Sequence, residues 1–195
     1  MQKVQVSVYQ QPKSGQRHCG DSYCYAETEN KFICALADGL GSGEYAKESS
    51  QIVIDIINNN VNASIEELMK MCNKALFGKR GAVLGILKMD FTNMTYSYTS
   101  IGNIGILYVD NNRKKKRNIP SSGFLTGYSK PFRVMTGKLE EQMNFIMFSD
   151  GVTDIDIMQK YLLARDVVDI TTSFADAHEG SKADDTTLIA MRYIG

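Results

Sequence analysis

Apolar positions along the chain follow two rhythms, one of period two and one close to 3.6. Over residues 4–10 apolar and polar side chains alternate weakly until Pro12, Ser14 and Gly15 break the pattern, which predicts an edge strand and a turn. Residues 32–37 are a short apolar run that stops abruptly at Asp38-Gly39, as a buried strand entering a glycine-rich turn would. From 45 to 57 the spacing lengthens. Ala46, Ser49, Val53, Ile56 and Ile57 recur at helical intervals, and Asn58, Asn59 and Asn60 supply a stop. A second helix follows directly, with Ser64 and Glu67 spaced as a capping box and Ile65, Leu68, Met69, Cys72, Ala75 and Leu76 on one face.

The period then shortens again. Residues 83–89, 95–100 and 104–109 are rich in aliphatic, aromatic and threonine side chains between short polar breaks, predicting a meander of antiparallel strands. Residues 132–139 and 144–148 predict a further hairpin, 156–174 two short helices and 187–193 a terminal strand. Strands outnumber helices, and the helices come in sequential pairs. That order argues against a doubly wound parallel sheet and for an α+β fold in which helices flank antiparallel sheets. No linker or repeat interrupts the chain, so residues 1–195 are expected to form one domain.

Composition narrows the function classes. Lys and Arg number 22, as do Asp and Glu, and the net charge of zero lacks the basic field of a nucleic-acid binder. Apolar runs such as 145–148 fall far short of the roughly 20 residues of a membrane span, and no signal pattern opens the chain. A cytoplasmic protein is expected. Cys19, Cys24, Cys34 and Cys72 lack paired metal-site spacing, and with two histidines they predict reduced thiols rather than disulfides or zinc. Met69, Met71, Tyr96 and Tyr98 read as core or sheet-face residues.

The main chemical signal lies in the aspartates. Gly20-Asp21, Asp38-Gly39, Asp150-Gly151 and Asp184-Asp185 each set a carboxylate at the edge of a predicted strand. Any one such pair is an ordinary turn signal; four together are not. Residues 32–38 and 145–150 each run an apolar strand straight into an aspartate, which is how a scaffold delivers a site residue. Several converging carboxylates with few histidines form a hard, oxygen-rich site suited to Mg²⁺ or Mn²⁺.

The stretches GDSY at 20–23, ADGLGSG at 37–43, SIGN at 100–103, FSDGVTD at 148–154 and ADDTTLI at 183–189 resemble the metal-dependent serine/threonine protein phosphatases of the PPM class. Within that class the chain looks most like the short bacterial branch related to SpoIIE, and there like the small, sensorless feedback phosphatases of the stressosome. The resemblance implies a four-layer αββα sandwich with two metal ions, and in some relatives a third, between its sheets. Asp38 would bridge the ions, Asp21 and the Gly39 carbonyl would join it on one, Asp150 and Asp184 would hold the other, and Asp185 would stand behind them. It also implies substrates among phosphorylated STAS-domain proteins of the stressosome, a monomeric enzyme, and negative feedback on the general stress response. In-line attack on phosphorus needs no phosphoenzyme, and the leaving seryl oxygen would be protonated by a metal-bound water or an unidentified acid.

This chain also departs from its relatives. Cys24 stands where many SpoIIE-like relatives carry a further aspartate, which puts an accessory metal site in question, and Arg17 is not a clean match for their phosphate-binding arginine. Other readings compete. His18-Cys19 invites a tyrosine-phosphatase loop, but Tyr25 stands where its arginine should be. Residues 39–43 do not have the GxGxxG spacing of a dinucleotide site, and are either a turn opening a helix or a regulatory segment beside the metals. The basic run 113–117 reads as a solvated hairpin tip, or as a docking patch for an acidic partner. A non-catalytic regulator that binds phosphoproteins on the same fold is the rival function.

Overall fold

A computed structural model describes residues 2–110, 112–178, 180 and 183–195. Two five-stranded antiparallel sheets form its centre. The first has the order β1 (Val4–Gln11), β10 (Thr186–Tyr193), β9 (Asn144–Phe148), β6 (Gly105–Val109) and β7 (Lys115–Arg117). The second has the order β2 (Asp21–Glu27), β3 (Lys31–Gly39), β4 (Ala82–Asp90), β5 (Thr95–Ile101) and β8 (Met135–Lys138). Helices α1 (Glu44–Asn59) and α2 (Ile65–Ala75) cover the outer face of the second sheet. Helix α4 (Val167–Ala177), with the short α3 (Asp154–Met158) and a 3₁₀ turn (Lys160–Leu163), covers the first. This is the expected αββα layering.

Period-two alternation divides each central strand between two cores. On β3, Phe32, Cys34 and Leu36 face the opposite sheet while Ile33, Ala35 and Ala37 face α1 and α2. On β9, Phe145 and Met147 turn inward and Ile146 and Phe148 turn to α4. A one-residue slip in either strand would exchange the two sets, so burial on both faces fixes the register. The predicted caps hold as well: Ser64 and Glu67 form a reciprocal capping box at the start of α2.

Two predicted strand groupings are corrected. The expected meander breaks after β5. There Gly102 adopts φ +88°, and a β-carbon would come 2.1 Å from Val83 Cγ1, so the chain can turn sharply away and carry β6 into the first sheet. The expected hairpin of 132–139 with 144–148 does not form either, because β8 pairs with β5 in one sheet and β9 with β10 and β6 in the other. Alternation marks a strand but carries no information on which sheet it joins. The basic run is more structured than a solvated tip: Lys115–Arg117 forms β7, an edge strand, with Lys115 Nζ donating to the Ile157 and Gln159 carbonyls (3.1 and 2.7 Å). Arg117 pairs with Asp154 at 2.5 Å. Asn111, two residues before this run, lies outside the described residues.

All four cysteines are free, and among the described residues no helix is long and apolar enough to cross a membrane. Phe145 is fully buried and packs edge-on against Tyr96 at 5.0 Å between the sheets. Phe145→Ala is expected to lower the unfolding free energy by about 3–5 kcal/mol with an unchanged m-value in urea titration.

Candidate metal centre

The parity that builds the core also builds the site. Asp38 continues the inward series of Phe32, Cys34 and Leu36, and Asp21 lies directly opposite it in the β2–β3 ladder. Two carboxylates therefore sit as cross-strand neighbours, an arrangement that is repulsive by itself. Asp150 follows β9 and Asp184-Asp185 precede β10, so the first sheet brings its own aspartates to the same end of the sandwich.

Electrostatics report the convergence. Burial pushes the Asp21 carboxyl up to about 6, against hydrogen bonds from Thr187 and Ser149 that pull it down. Burial, then the charges of Asp21, Asp150, Asp184 and Asp185, push Asp38 up to about 8. Asp150 is also raised, by burial and by Asp184, while the Asn103 amide opposes the shift. The side chains share a rim without closing on one another: among the described residues no three His, Cys, Asp or Glu groups are drawn into a ready cage for an ion.

Neighbouring groups hold each carboxylate in place. Thr187 Oγ1 donates to Asp21 Oδ2 at 2.5 Å, and Asn103 Nδ2 donates to Asp150 Oδ2 at 2.6 Å. Asp185 turns away from the rim and accepts from the Lys13 and Gly20 N–H groups (2.9 and 2.8 Å), tying the segment before β2 to the start of β10. Lys47 Nζ donates to the Asp21 carbonyl and the Ser22 hydroxyl, both at 2.9 Å. Gly39 lets α1 come close, since a β-carbon there would lie 1.8 Å from the Ala46 carbonyl oxygen.

One atom is left over. Asp21 Oδ1 is buried with no hydrogen-bond partner among the described residues, a costly arrangement for a carboxylate unless a cation or proton completes it. An all-oxygen set with one buried, unpartnered oxygen fits a hard divalent cation. The thiol beside it does not offer an alternative chemistry. Burial, then the charges of Asp21 and Asp185, push Cys19 up to about 12, the opposite of what a thiolate nucleophile requires.

Asp21, Asp38, Gly39, Asp150 and Asp184 thus lie at one end of the sandwich, with Asp185 behind them. Sequence reasoning did not find the roles of Asn103, Thr187 and Lys47. The SIGN stretch marked Asn103 as notable, but its partner is Asp150, far along the chain; Thr187 and Lys47 carried no signal beyond their neighbours.

Comparison with known proteins identifies the family. The family model for stage II sporulation protein E (SpoIIE) matches residues 28–194. The phosphoserine phosphatase RsbX of Bacillus subtilis (strain 168) is 34% identical over 186 residues, which is 95% of this chain and 93% of RsbX. The crystal structure of RsbX in complex with magnesium matches with a TM-score of 0.88 at 31% identity, over 97% of this chain and 95% of that one. The serine/threonine phosphatase PstP of Mycobacterium tuberculosis shares the fold, with a TM-score of 0.80 at 13% identity, over 98% of this chain and 99% of its own. With a family match over most of its length and a close relative aligned almost from end to end, the chain belongs to the SpoIIE family.

Proposed function

We propose that the protein is a metal-dependent phosphoserine/phosphothreonine protein phosphatase acting on phosphorylated STAS-domain proteins of the stressosome, as negative feedback on the general stress response. The observation that carries this reading is the meeting of aspartates from both sheets around a buried, unpartnered Asp21 oxygen. The likeness to the phosphoserine phosphatase RsbX, solved with magnesium, supports both the reaction and the ion class. In this reading two Mn²⁺ or Mg²⁺ ions would be held by Asp21, Asp38, the Gly39 carbonyl, Asp150 and Asp184, in a single domain working as a monomer.

When bound, such ions supply a water nucleophile at neutral pH and charge that steadies the phosphoryl oxygens. The chain's own residues do the positioning. Asn103 orients Asp150 through one of its oxygens, and Thr187 orients Asp21 in the same way. Lys47, reaching from α1, ties that helix to the start of β2 through the Asp21 carbonyl and the Ser22 hydroxyl. His178 takes no part, because its ring is held by Asp156 and the Phe174 carbonyl in the other helical layer.

Phosphate release from a phosphorylated STAS-domain substrate is expected to need added Mn²⁺ or Mg²⁺, to stop with chelator, and to fall at least about a hundredfold in Asp38→Asn. Folded, metal-loaded protein that binds the substrate and never releases phosphate would make it a non-catalytic regulator instead. Asn103→Ala should lower metal affinity or turnover about 10–100-fold, measured by metal titration alongside the rate.

The raised carboxyls also give a signed pH effect. In chelator-treated protein Asp21 and Asp38 keep protons up to about 6 and about 8, which the unfolded chain releases near pH 4. The folded state then binds more protons across that window, so this contribution lowers stability as pH rises through it. The melting temperature of Asp38→Asn should therefore gain on that of the metal-free wild type between about pH 5 and about pH 8. A gap that stays constant with pH would contradict the carboxyl assignment.

A further inference from the structure

At the end of the first sheet opposite the carboxylates, where β6 ends, β9 begins and β10 finishes, lies a cleft of about 340 Å³. Asn144 lines it and Asp150 follows the same strand, so at about 3.3 Å per residue some 20 Å separates the two ends. The cleft is a place of its own, not an annexe of the metal centre.

Three guanidinium groups line it: Arg113, Arg165 and Arg192. None of them forms an ion pair among the described residues. Arg192 is only 7% exposed and is held by neutral amides, Nη1 donating to Asn144 Oδ1 at 2.8 Å and Nη2 to Gln142 Oε1. Arg113 Nη2 reaches only the Leu163 carbonyl at 3.4 Å, and Arg165 projects into solvent. The single carboxylate in the lining, Asp110, is already engaged: its Oδ1 accepts from the Asn112 and Lys114 N–H groups (3.1 and 3.0 Å) and its Oδ2 faces Lys116 Nζ at 3.7 Å.

A nearly buried arginine is ordinarily retained only with an anionic partner, because desolvating its charge is expensive. Here burial, and then the like charge of Arg165, weaken the hold of Arg192 on its proton. Guanidinium forks match the paired oxygens of phosphate. Among the described residues the lining offers no aromatic face on which a nucleobase could stack, which points to the oxyanion itself as the ligand.

We propose that this cleft is a phosphate-binding site, distinct from the metal centre, in which Arg192 is the buried anchor and Arg113 and Arg165 close over the anion. The phosphate could come from solution or from a phosphorylated side chain of a bound protein. The test is an NMR titration of the Mg²⁺-loaded protein with inorganic phosphate, and separately with a peptide carrying a non-hydrolysable phosphonate analogue of phosphoserine, each against chloride at equal ionic strength. The backbone signals of residues 142–144, 163–165 and 192 are expected to shift saturably. The exposed double variant Arg113→Gln, Arg165→Gln, with its spectrum otherwise intact, should weaken that binding about tenfold or more. Tighter binding of the peptide identifies a phosphoprotein as the source, and equal binding identifies the free anion. Signals that stay put, that move as much with chloride, or that respond equally in the double variant would overturn the site.

Discussion

Repulsion between Asp21 and Asp38 is the constraint around which the rest of the molecule is arranged. The two carboxylates face each other across one ladder, inside the mouth of a sandwich, where burial already disfavours their charge. No local rearrangement relieves this. The register that points them inward is the one that buries Phe32, Cys34 and Leu36, so moving the aspartates outward would expose the core. The hydrophobic effect thus holds in place an electrostatic arrangement that would not form by itself.

The surroundings manage this conflict instead of removing it. Hydrogen bonds from Thr187 and Asn103 satisfy one oxygen of Asp21 and one of Asp150. Asp185 uses its charge on backbone N–H groups and so clamps the loop before β2 onto β10. Gly39 brings the first turn of α1 against the end of β3, which no residue with a β-carbon could do. What is left unsatisfied, Asp21 Oδ1, is the part a cation would complete.

Much of this was legible in the sequence, for a physical reason. A strand buried on both faces is a continuous apolar run, so an aspartate at its end stands out, and Asp38 and Asp150 were identifiable from that contrast alone. The layering followed from the order of helices and strands. Sheet membership was hidden, because β5 and β6 alternate alike yet belong to different sheets, and only the backbone at Gly102 separates them. The strand character of Lys115–Arg117 was masked by its charge, which is how an edge strand is protected from pairing with another chain. Asn103 and Thr187 act on partners remote in sequence, and spacing along the chain carries no trace of such pairs.

The pairing of β1 with β10 along its whole length has a consequence for how the molecule is made. Val4 lies opposite Tyr193, and Gln11 opposite Thr186, so β1 is synthesised long before the strand it pairs with. Until then β1 offers an unpaired edge, and the first sheet lacks β10, the strand that joins β1 to β9. Contacts of such long sequence separation form slowly, and the exposed interval is when a chain is most open to association with its neighbours. The second sheet, whose β2 to β5 are consecutive along the chain and adjacent in the sheet, can assemble first and carry Asp21 and Asp38. A nascent chain thus holds Asp21 and Asp38 in place well before Asp150 and Asp184, and competence waits for β10 to close the first sheet.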